Sequence, residues 1–137
     1  MTYSTAQKNE AARLLCTYFL HLHFGVARRW VTCESGANND VFGVTIGGKL
    51  QKYATMEAGV KAAAIRIRTL VIYRAVLAAF ESPHDPAYGC PGNGEHAISQ
   101  ARALCKSGWH SGVAGVKAQG GLDLYYSRIF RLGGYAV

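Results

Sequence analysis

One stretch of sequence decides how the chain folds, and it reads WVTCESGANNDVFGVT over residues 30–45. Its first residues complete a short amphipathic helix, and the Ser-Gly pair after Glu34 is a stop signal for that helix. Beyond this point the composition changes to Gly, Asn and single apolar residues, with a Gly-Gly turn signal at 47–48. The stretch therefore predicts a helix that ends near Glu34, followed by a long loop or a small β-hairpin.

Helical periodicity surrounds this stretch on both sides, because apolar residues recur at three- and four-residue spacing. Thr55 is a good N-cap, and the helix that it opens is apolar on most faces, which predicts a central core helix. The C-terminal part is rich in glycine and aromatic residues and predicts one more short helix. The fold class is therefore mainly α, with helices over residues 5–23, 26–33, 55–80, 95–106 and 122–132.

Length and charge narrow the class of protein. The chain has 137 residues, which favours one domain, and 50% of them are hydrophobic, which excludes general disorder. A net charge of +7 favours a polyanionic partner such as nucleic acid, an anionic membrane face or a cell-wall polymer. The apolar segment 56–80 carries four basic side chains, so no transmembrane segment is predicted. The N-terminus lacks the pattern of a signal peptide, so the chain is expected to start in a cytoplasm.

Metal and nucleotide chemistry have no support in the motifs. The five histidines form neither an HExxH motif nor a zinc-finger spacing, and no phosphate-binding glycine motif follows a strand. We therefore predict no metal and no cofactor. The four cysteines form no CxxC pair and are expected to be reduced, mostly buried thiols.

Glu34 is the most informative of the eight acidic residues. It follows an apolar and aromatic run at the C-terminal end of a helix, where the helix dipole disfavours a negative charge. Such an environment should raise the pKa of the carboxyl, which is what a general acid at neutral pH requires. A surface glutamate that points into water is the alternative, and position alone does not decide between them.

Four motifs occur in order along the chain: the helix that ends in Glu34-Ser-Gly, an asparagine-rich loop over 38–45, a Tyr-Ala-Thr step over 53–55, and Ser-Gly-Trp over 107–109. Together they resemble the lysozyme-like domains of bacteriophage lysins and soluble lytic transglycosylases. The resemblance covers about residues 11–109. It departs from the family at Asn39-Asp40, where many relatives have Asn-Pro, and in lacking the Gly-Leu-x-Gln step of cellular transglycosylases.

The resemblance implies a lysozyme-like helical domain with a small β-hairpin or loop insertion after the catalytic helix. Residues 1–112 would form the catalytic domain, and residues 113–137 would be a glycine- and aromatic-rich extension of it. Glu34 would protonate the glycosidic oxygen between two amino sugars of peptidoglycan. Asp40 is the candidate second carboxylate, and the cleft-lining candidates are Phe42, Thr45, Tyr53 and Thr55.

Several alternatives remain open within this interpretation. If water attacks the sugar, the enzyme is a lysozyme, and if the muramyl 6-hydroxyl attacks, it is a lytic transglycosylase. The expected partners are peptidoglycan glycan strands and other phage virion or lysis proteins, and the expected location is the host cytoplasm before release to the wall, or the virion. The competing class is a non-catalytic basic binding module or phage structural protein that binds cell wall or nucleic acid. The basic residues of this chain are scattered along the sequence and form no recognition helix, so no specific nucleic-acid partner is predicted.

Gly59 also carries an expectation. Glycine in the first turns of a helix is unfavourable by about 1 kcal/mol relative to alanine. Its presence suggests a close approach by neighbouring backbone, which we expect to be the second helix near Glu34.

Overall fold

The computed structural model describes residues 3–34, 36–83 and 94–137, and these residues are mainly helical, which confirms the predicted class. None of the helices in these ranges combines the length and apolarity that a membrane crossing requires. The elements in chain order are α1 (Thr5–Tyr18), α2 (Phe24–Glu34), β1 (Thr45–Ile46), β2 (Lys49–Leu50), α3 (Met56–Thr69), a 3₁₀ helix (Val71–Tyr73), α4 (Arg74–Glu81), α5 (Glu95–Lys106), α6 (Gly112–Ala118) and α7 (Leu124–Leu132).

The first helix begins where the periodicity predicts but ends five residues early, at Tyr18. Ser4 and Gln7 form a capping box at its start, in which each side chain bonds the other residue's backbone N–H. At the other end Phe19 adopts extended backbone, yet its ring is fully buried and meets Phe80 edge-on at 5.2 Å. The helical spacing of apolar residues thus continues past the end of α1 into a turn, and periodicity alone predicts a helix there.

The prediction of one central helix over residues 55–80 is wrong. Leu70 has extended backbone (φ −90°, ψ 128°) and separates α3 from the 3₁₀ helix and α4. On α3 only one face is buried, and Ile65 on the other face is 50% exposed. α2 instead contacts α1, α5 and α7 through its buried face. The helix that ends in Glu34 is therefore packed against both the first and the last helix of the chain.

The predicted hairpin is confirmed. β1 and β2 pair antiparallel, with Thr45 opposite Leu50, and the turn between them is Gly47-Gly48. Both glycines have positive φ, +60° and +77°, which is what a tight two-residue hairpin turn requires. The strand is shorter than the β-branched run suggests, because the residues before Thr45 enter the core instead.

The C-terminal part packs onto the same body as the rest. α5 has the predicted bounds, and α7 follows the predicted position with Asp123 as its N-cap, whereas α6 was not predicted. α7 packs against α2 and α5. Among the described cysteines, Cys16, Cys33 and Cys105 are free thiols. Most of the loop predicted over 82–93, with Cys90, lies outside the described residues.

Candidate active site

Glu34 is the last residue of α2, and its side chain is half-buried. One turn earlier on the helix, the ring of fully buried Trp30 lies 4.4 Å from that of Phe42 and 5.1 Å from that of Trp109. The indole Nε1 of Trp109 donates a 2.6 Å hydrogen bond to the carbonyl of Phe42. This aromatic cluster holds the loop after α2 against the end of the helix, so the surroundings of Glu34 are fixed by core packing.

Two hydrogen bonds fix how the Glu34 carboxyl is held. Nε1 of Trp30 donates to the hydroxyl oxygen of Tyr126 at 2.9 Å, and the hydroxyl of Tyr126 donates to Oε1 of Glu34. An indole nitrogen can only donate, so the Tyr126 oxygen must accept from it and direct its own proton to Glu34. Oε1 is therefore an acceptor. When the carboxyl is protonated, the proton belongs on Oε2.

Burial raises the pKa of Glu34 to about 7, which confirms the expected direction. The hydrogen bond from Tyr126 stabilises the charged form and opposes this shift, whereas the negative charges of Asp123 and Asp40 add to it. Asp123 and Asp40 are both buried, at 2% and 1% exposed, so little water screens them. A carboxyl with this pKa is protonated in a large fraction of molecules at neutral pH, as a proton donor must be.

Gly43 faces the oxygen that carries the proton. A Cβ at Gly43 would lie 2.9 Å from Oε2 of Glu34. The backbone φ of Gly43 is +66°, a value that residues with a side chain rarely adopt. Its backbone N–H donates to the carbonyl of Asp40 at 3.0 Å, which closes the turn. Glycine at this position therefore keeps the space beside Oε2 free of protein atoms.

Asp40 is the buried anchor of the loop after α2. Its Oδ1 accepts the backbone N–H of Val44 at 2.7 Å, and its Oδ2 accepts that of Gln51 at 3.3 Å. Burial nonetheless raises the pKa of this carboxyl, with the two backbone bonds opposing the shift. Both oxygens are occupied by the two sides of the hairpin, so the contacts of Asp40 stabilise the hairpin. Its role as a second catalytic carboxylate stays a prediction.

The other predicted site residues on this loop take different environments. Phe42 is fully buried in the aromatic cluster, so its ring lies in the core and leaves no surface for a ligand. Thr45 is exposed on β1. Phe42 therefore contributes to the site through packing and its backbone, while Thr45 stays available to solvent.

Tyr53 and Thr55 lie at the entrance to α3. Thr55 is the predicted N-cap, and its Oγ1 accepts the backbone N–H of Ala58 at 3.1 Å. Tyr53 is half-buried, and the amide of Asn39 donates to its carbonyl at 2.9 Å. Tyr53 also lines a pocket of about 350 Å³ with Tyr3, Gln7, Ala37, Asn38, Asn39 and Lys52.

The close approach expected at Gly59 is confirmed, although its partner differs. A Cβ at Gly59 would overlap the carbonyl oxygen of Asn39 and lie 2.9 Å from the carbonyl carbon. The approaching backbone is thus the asparagine-rich loop rather than α2 itself. This contact fixes the loop that follows Glu34 against α3.

Sequence reasoning missed Tyr126, the residue that bonds Glu34 directly. It also missed the neighbouring ring contacts, in which His110 lies 5.7 Å from the ring of Tyr126 and 4.9 Å from that of Tyr125. The hydroxyl of Tyr125 donates to the carbonyl of Cys33 at 3.1 Å. The cluster of aromatic residues in the C-terminal segment is the sequence feature that contains Tyr126, but nothing in the spacing of that cluster relates it to Glu34.

No model of a known protein family matches the chain, and no curated protein or solved structure matches it significantly. Within the described ranges, no three His, Cys, Asp or Glu side chains gather where they could hold a metal ion. The observations that bear on function are therefore the geometry around Glu34 and the resemblance of the motifs.

Proposed function

We propose that this protein is a peptidoglycan-degrading glycosidase that cleaves the β-1,4 bond between N-acetylmuramic acid and N-acetylglucosamine. The observation that carries the proposal is Glu34, a half-buried carboxyl with a pKa raised to about 7, one oxygen bonded by Tyr126 and the other facing Gly43. In the biological setting that the motif resemblance implies, the protein is a phage lysin or a virion-associated lysin. It would stay in the host cytoplasm until its release to the cell wall, or it would be carried in the virion.

The arrangement can perform the demanding step of glycoside cleavage. The departing sugar oxygen needs a proton because an alkoxide is a poor leaving group, and positive charge develops at the anomeric carbon as the bond breaks. Oε2 of Glu34 carries the proton to be donated. After donation the carboxylate is left beside the developing positive charge, and the hydrogen bond from Tyr126 stabilises it in place.

The decisive experiment compares purified wild type with Glu34→Gln on purified peptidoglycan, by zymography and by mass analysis of the released fragments. The amide keeps the size of the side chain and can still accept from Tyr126, but it cannot protonate the sugar. General acid catalysis is typically worth about 10² to 10⁴ in rate, so cleavage should fall by at least that range. Normal cleavage by folded Glu34→Gln would falsify the proposal.

Glu95→Gln is the matched control. Glu95 is exposed in the first turn of α5, on an element separate from the proposed site, and should leave cleavage close to wild type. The fragment masses also separate the two reaction types, since water adds to the sugar in hydrolysis, whereas transglycosylation yields an anhydro product without that water.

A non-catalytic binding module is the competing class, and salt dependence distinguishes it. The net charge of +7 should draw the enzyme to an anionic wall, so cleavage of whole walls should fall once the Debye length drops below about 8 Å. Tight saturable binding to duplex DNA with a steep salt slope, without glycan cleavage, would instead support the binding module.

A further inference from the structure

A second pocket lies beside α2, on the side of the helix opposite to the side chain of Glu34. Its volume is about 500 Å³. Thr32 lines it, and at about 100° per helical residue the side chains of Thr32 and Glu34 project about 160° apart around the helix axis. The pocket is therefore separate from the proposed catalytic site. We call it the basic pocket. Its polar lining residues are Lys8, Arg28, Arg29, Thr32 and Tyr135, and Phe24, Gly25 and Gly133 complete it.

The basic pocket brings together three cations that have no acidic partner among the described residues. Among the described residues, the ion pairs are Arg13 with Glu10 and Arg68 with Glu81, and neither involves a pocket residue. Lys8, Arg28 and Arg29 are each only half-buried, so their charged groups remain accessible to a ligand. Burial is the main cause that lowers the pKa of Arg28, and the neighbouring charge of Arg29 adds an electrostatic cost in the same direction. An anion in the pocket would offset that cost.

The guanidinium of Arg28 is held in place before any ligand arrives. Its Nε donates to Oδ1 of Asn9 and its Nη1 donates to Oγ1 of Thr32, both at 2.8 Å. A guanidinium has five N–H donors, so three remain for a ligand after these two bonds. A planar donor group with a fixed orientation loses little freedom on binding an oxyanion.

Two glycines make room for the pocket's other polar groups. A Cβ at Gly133 would lie 2.7 Å from Cζ of Arg29, so the guanidinium occupies the space that a side chain at residue 133 would take. A Cβ at Gly25 would likewise overlap the hydroxyl of Tyr135. The positions of the Arg29 guanidinium and the Tyr135 hydroxyl thus both depend on the absence of a neighbouring side chain.

We propose that the basic pocket is a binding site for a phosphate group. Guanidinium groups bind phosphate through paired N–H bonds, and a phosphate oxyanion offers enough acceptors for two arginines and a lysine. The volume exceeds that of one phosphate, which leaves room for either free inorganic phosphate or a phosphodiester within a polymer. This site goes beyond the proposed glycan cleavage, because none of its groups belongs to the Glu34 site.

The test is a titration of the full chain, followed by amide chemical shifts at low ionic strength, with inorganic phosphate and separately with a poly(glycerol phosphate) oligomer. We expect saturable binding of at least one probe, with shifts centred on Arg28, Arg29 and Gly133. Arg29→Gln should weaken binding about tenfold, the loss expected for one charge-assisted hydrogen-bonded contact. Tighter binding of the oligomer identifies a polymer phosphodiester as the occupant, and tighter binding of phosphate identifies the free ion.

Two further variants keep the result interpretable. Arg74→Gln removes one positive charge from exposed Arg74 on α4, outside the basic pocket, and should change affinity less than twofold. Gly133→Ala displaces the Arg29 guanidinium without changing the net charge, at a φ of −86° that alanine tolerates, and should weaken binding as Arg29→Gln does. Equal weakening by Arg74→Gln and Arg29→Gln overturns the proposal, as does the absence of saturable binding by wild type. Glu34→Gln should bind phosphate like wild type. Failure of the phosphate-site proposal can therefore be distinguished from failure of the proposed glycan cleavage.

Discussion

The hydroxyl of Tyr126 donates a hydrogen bond to Oε1 of Glu34, although 92 positions separate the two residues in the chain. The carboxyl belongs to α2 and the hydroxyl to α7, and these helices pack directly against each other. The expected division into residues 1–112 and an extension over 113–137 therefore separates two partners of one hydrogen bond. The C-terminal helix is part of the environment that sets the proton affinity of Glu34.

Tyr126→Phe should make Glu34 a weaker acid. The lost hydrogen bond is the contact that lowers the pKa of Glu34, so its removal raises that pKa further. The alkaline limb of the pH profile for cleavage should then move to higher pH, since the group keeps its proton longer. Unfolding free energy should fall by about 1 to 3 kcal/mol, because Nε1 of Trp30 loses its buried acceptor.

Tyr125→Phe provides the matched control for this positioning role. Its hydroxyl bonds the carbonyl of Cys33 rather than Glu34, so this variant loses one hydroxyl from the same helix without touching the carboxyl. We expect the pH profile of Tyr125→Phe to overlay that of wild type. A loss of stability in Tyr126→Phe with an unmoved pH profile would reduce Tyr126 to a structural residue.

Glu34→Gln should become more stable than wild type as the pH rises. The pKa of Glu34 is about 7 in the folded protein against 4.5 for the ordinary group. Between these values the folded state binds more protons than the unfolded state, so wild type loses stability as pH increases through this window. The amide of Gln does not ionise, so the variant avoids this loss. Above pH 7 its free energy of unfolding should exceed that of wild type by up to about 3 kcal/mol.

Thermal unfolding of both proteins across this pH range measures the gap. Near pH 4 the two melting temperatures should be similar, because protonated Glu34 and glutamine are both neutral. A difference in Tm that stays constant from pH 4 to pH 8 would show that Glu34 does not titrate in this window. The retained or raised stability also separates loss of a catalytic group from loss of the fold.

The parts of this structure that the sequence predicts are those with local signals. The stop after Glu34, the Gly47-Gly48 turn and the Thr55 cap each depend on a few neighbouring residues, and all three occur where expected. No glycine or proline marks the break at Leu70, so the periodicity predicts one long helix there. Tyr126 joins the site through tertiary packing, which residue spacing cannot encode.

Asp40→Asn should loosen the hairpin more than it impairs chemistry. The amide retains one acceptor but turns its NH₂ toward one of the two backbone N–H groups that Asp40 now accepts, from Val44 or Gln51. Leaving the buried N–H of Val44 without an acceptor costs about 1 to 3 kcal/mol, whereas the N–H of Gln51 also bonds the carbonyl of Val44 at 3.3 Å and loses less. At a temperature where the variant is folded, we expect cleavage within about tenfold of wild type, since its contacts are structural. Folded Asp40→Asn without cleavage would instead support the predicted role as second carboxylate.

Gly59→Ala should destabilise the protein, opposite to the usual effect of this change in a helix. Replacing a helical glycine by alanine normally stabilises by about 1 kcal/mol. Here the new Cβ would overlap the carbonyl oxygen of Asn39 and lie 3.3 Å from Cδ2 of Tyr53, so the loop after α2 must move away from α3. Because the same loop carries Gly43 beside Oε2 of Glu34, the displacement should lower cleavage as well as Tm, and Gly59→Leu should lower both further. Urea unfolding combined with cleavage assays measures the two effects. If Gly59→Ala is as stable as wild type, the loop yields without cost and the close approach does not explain the glycine.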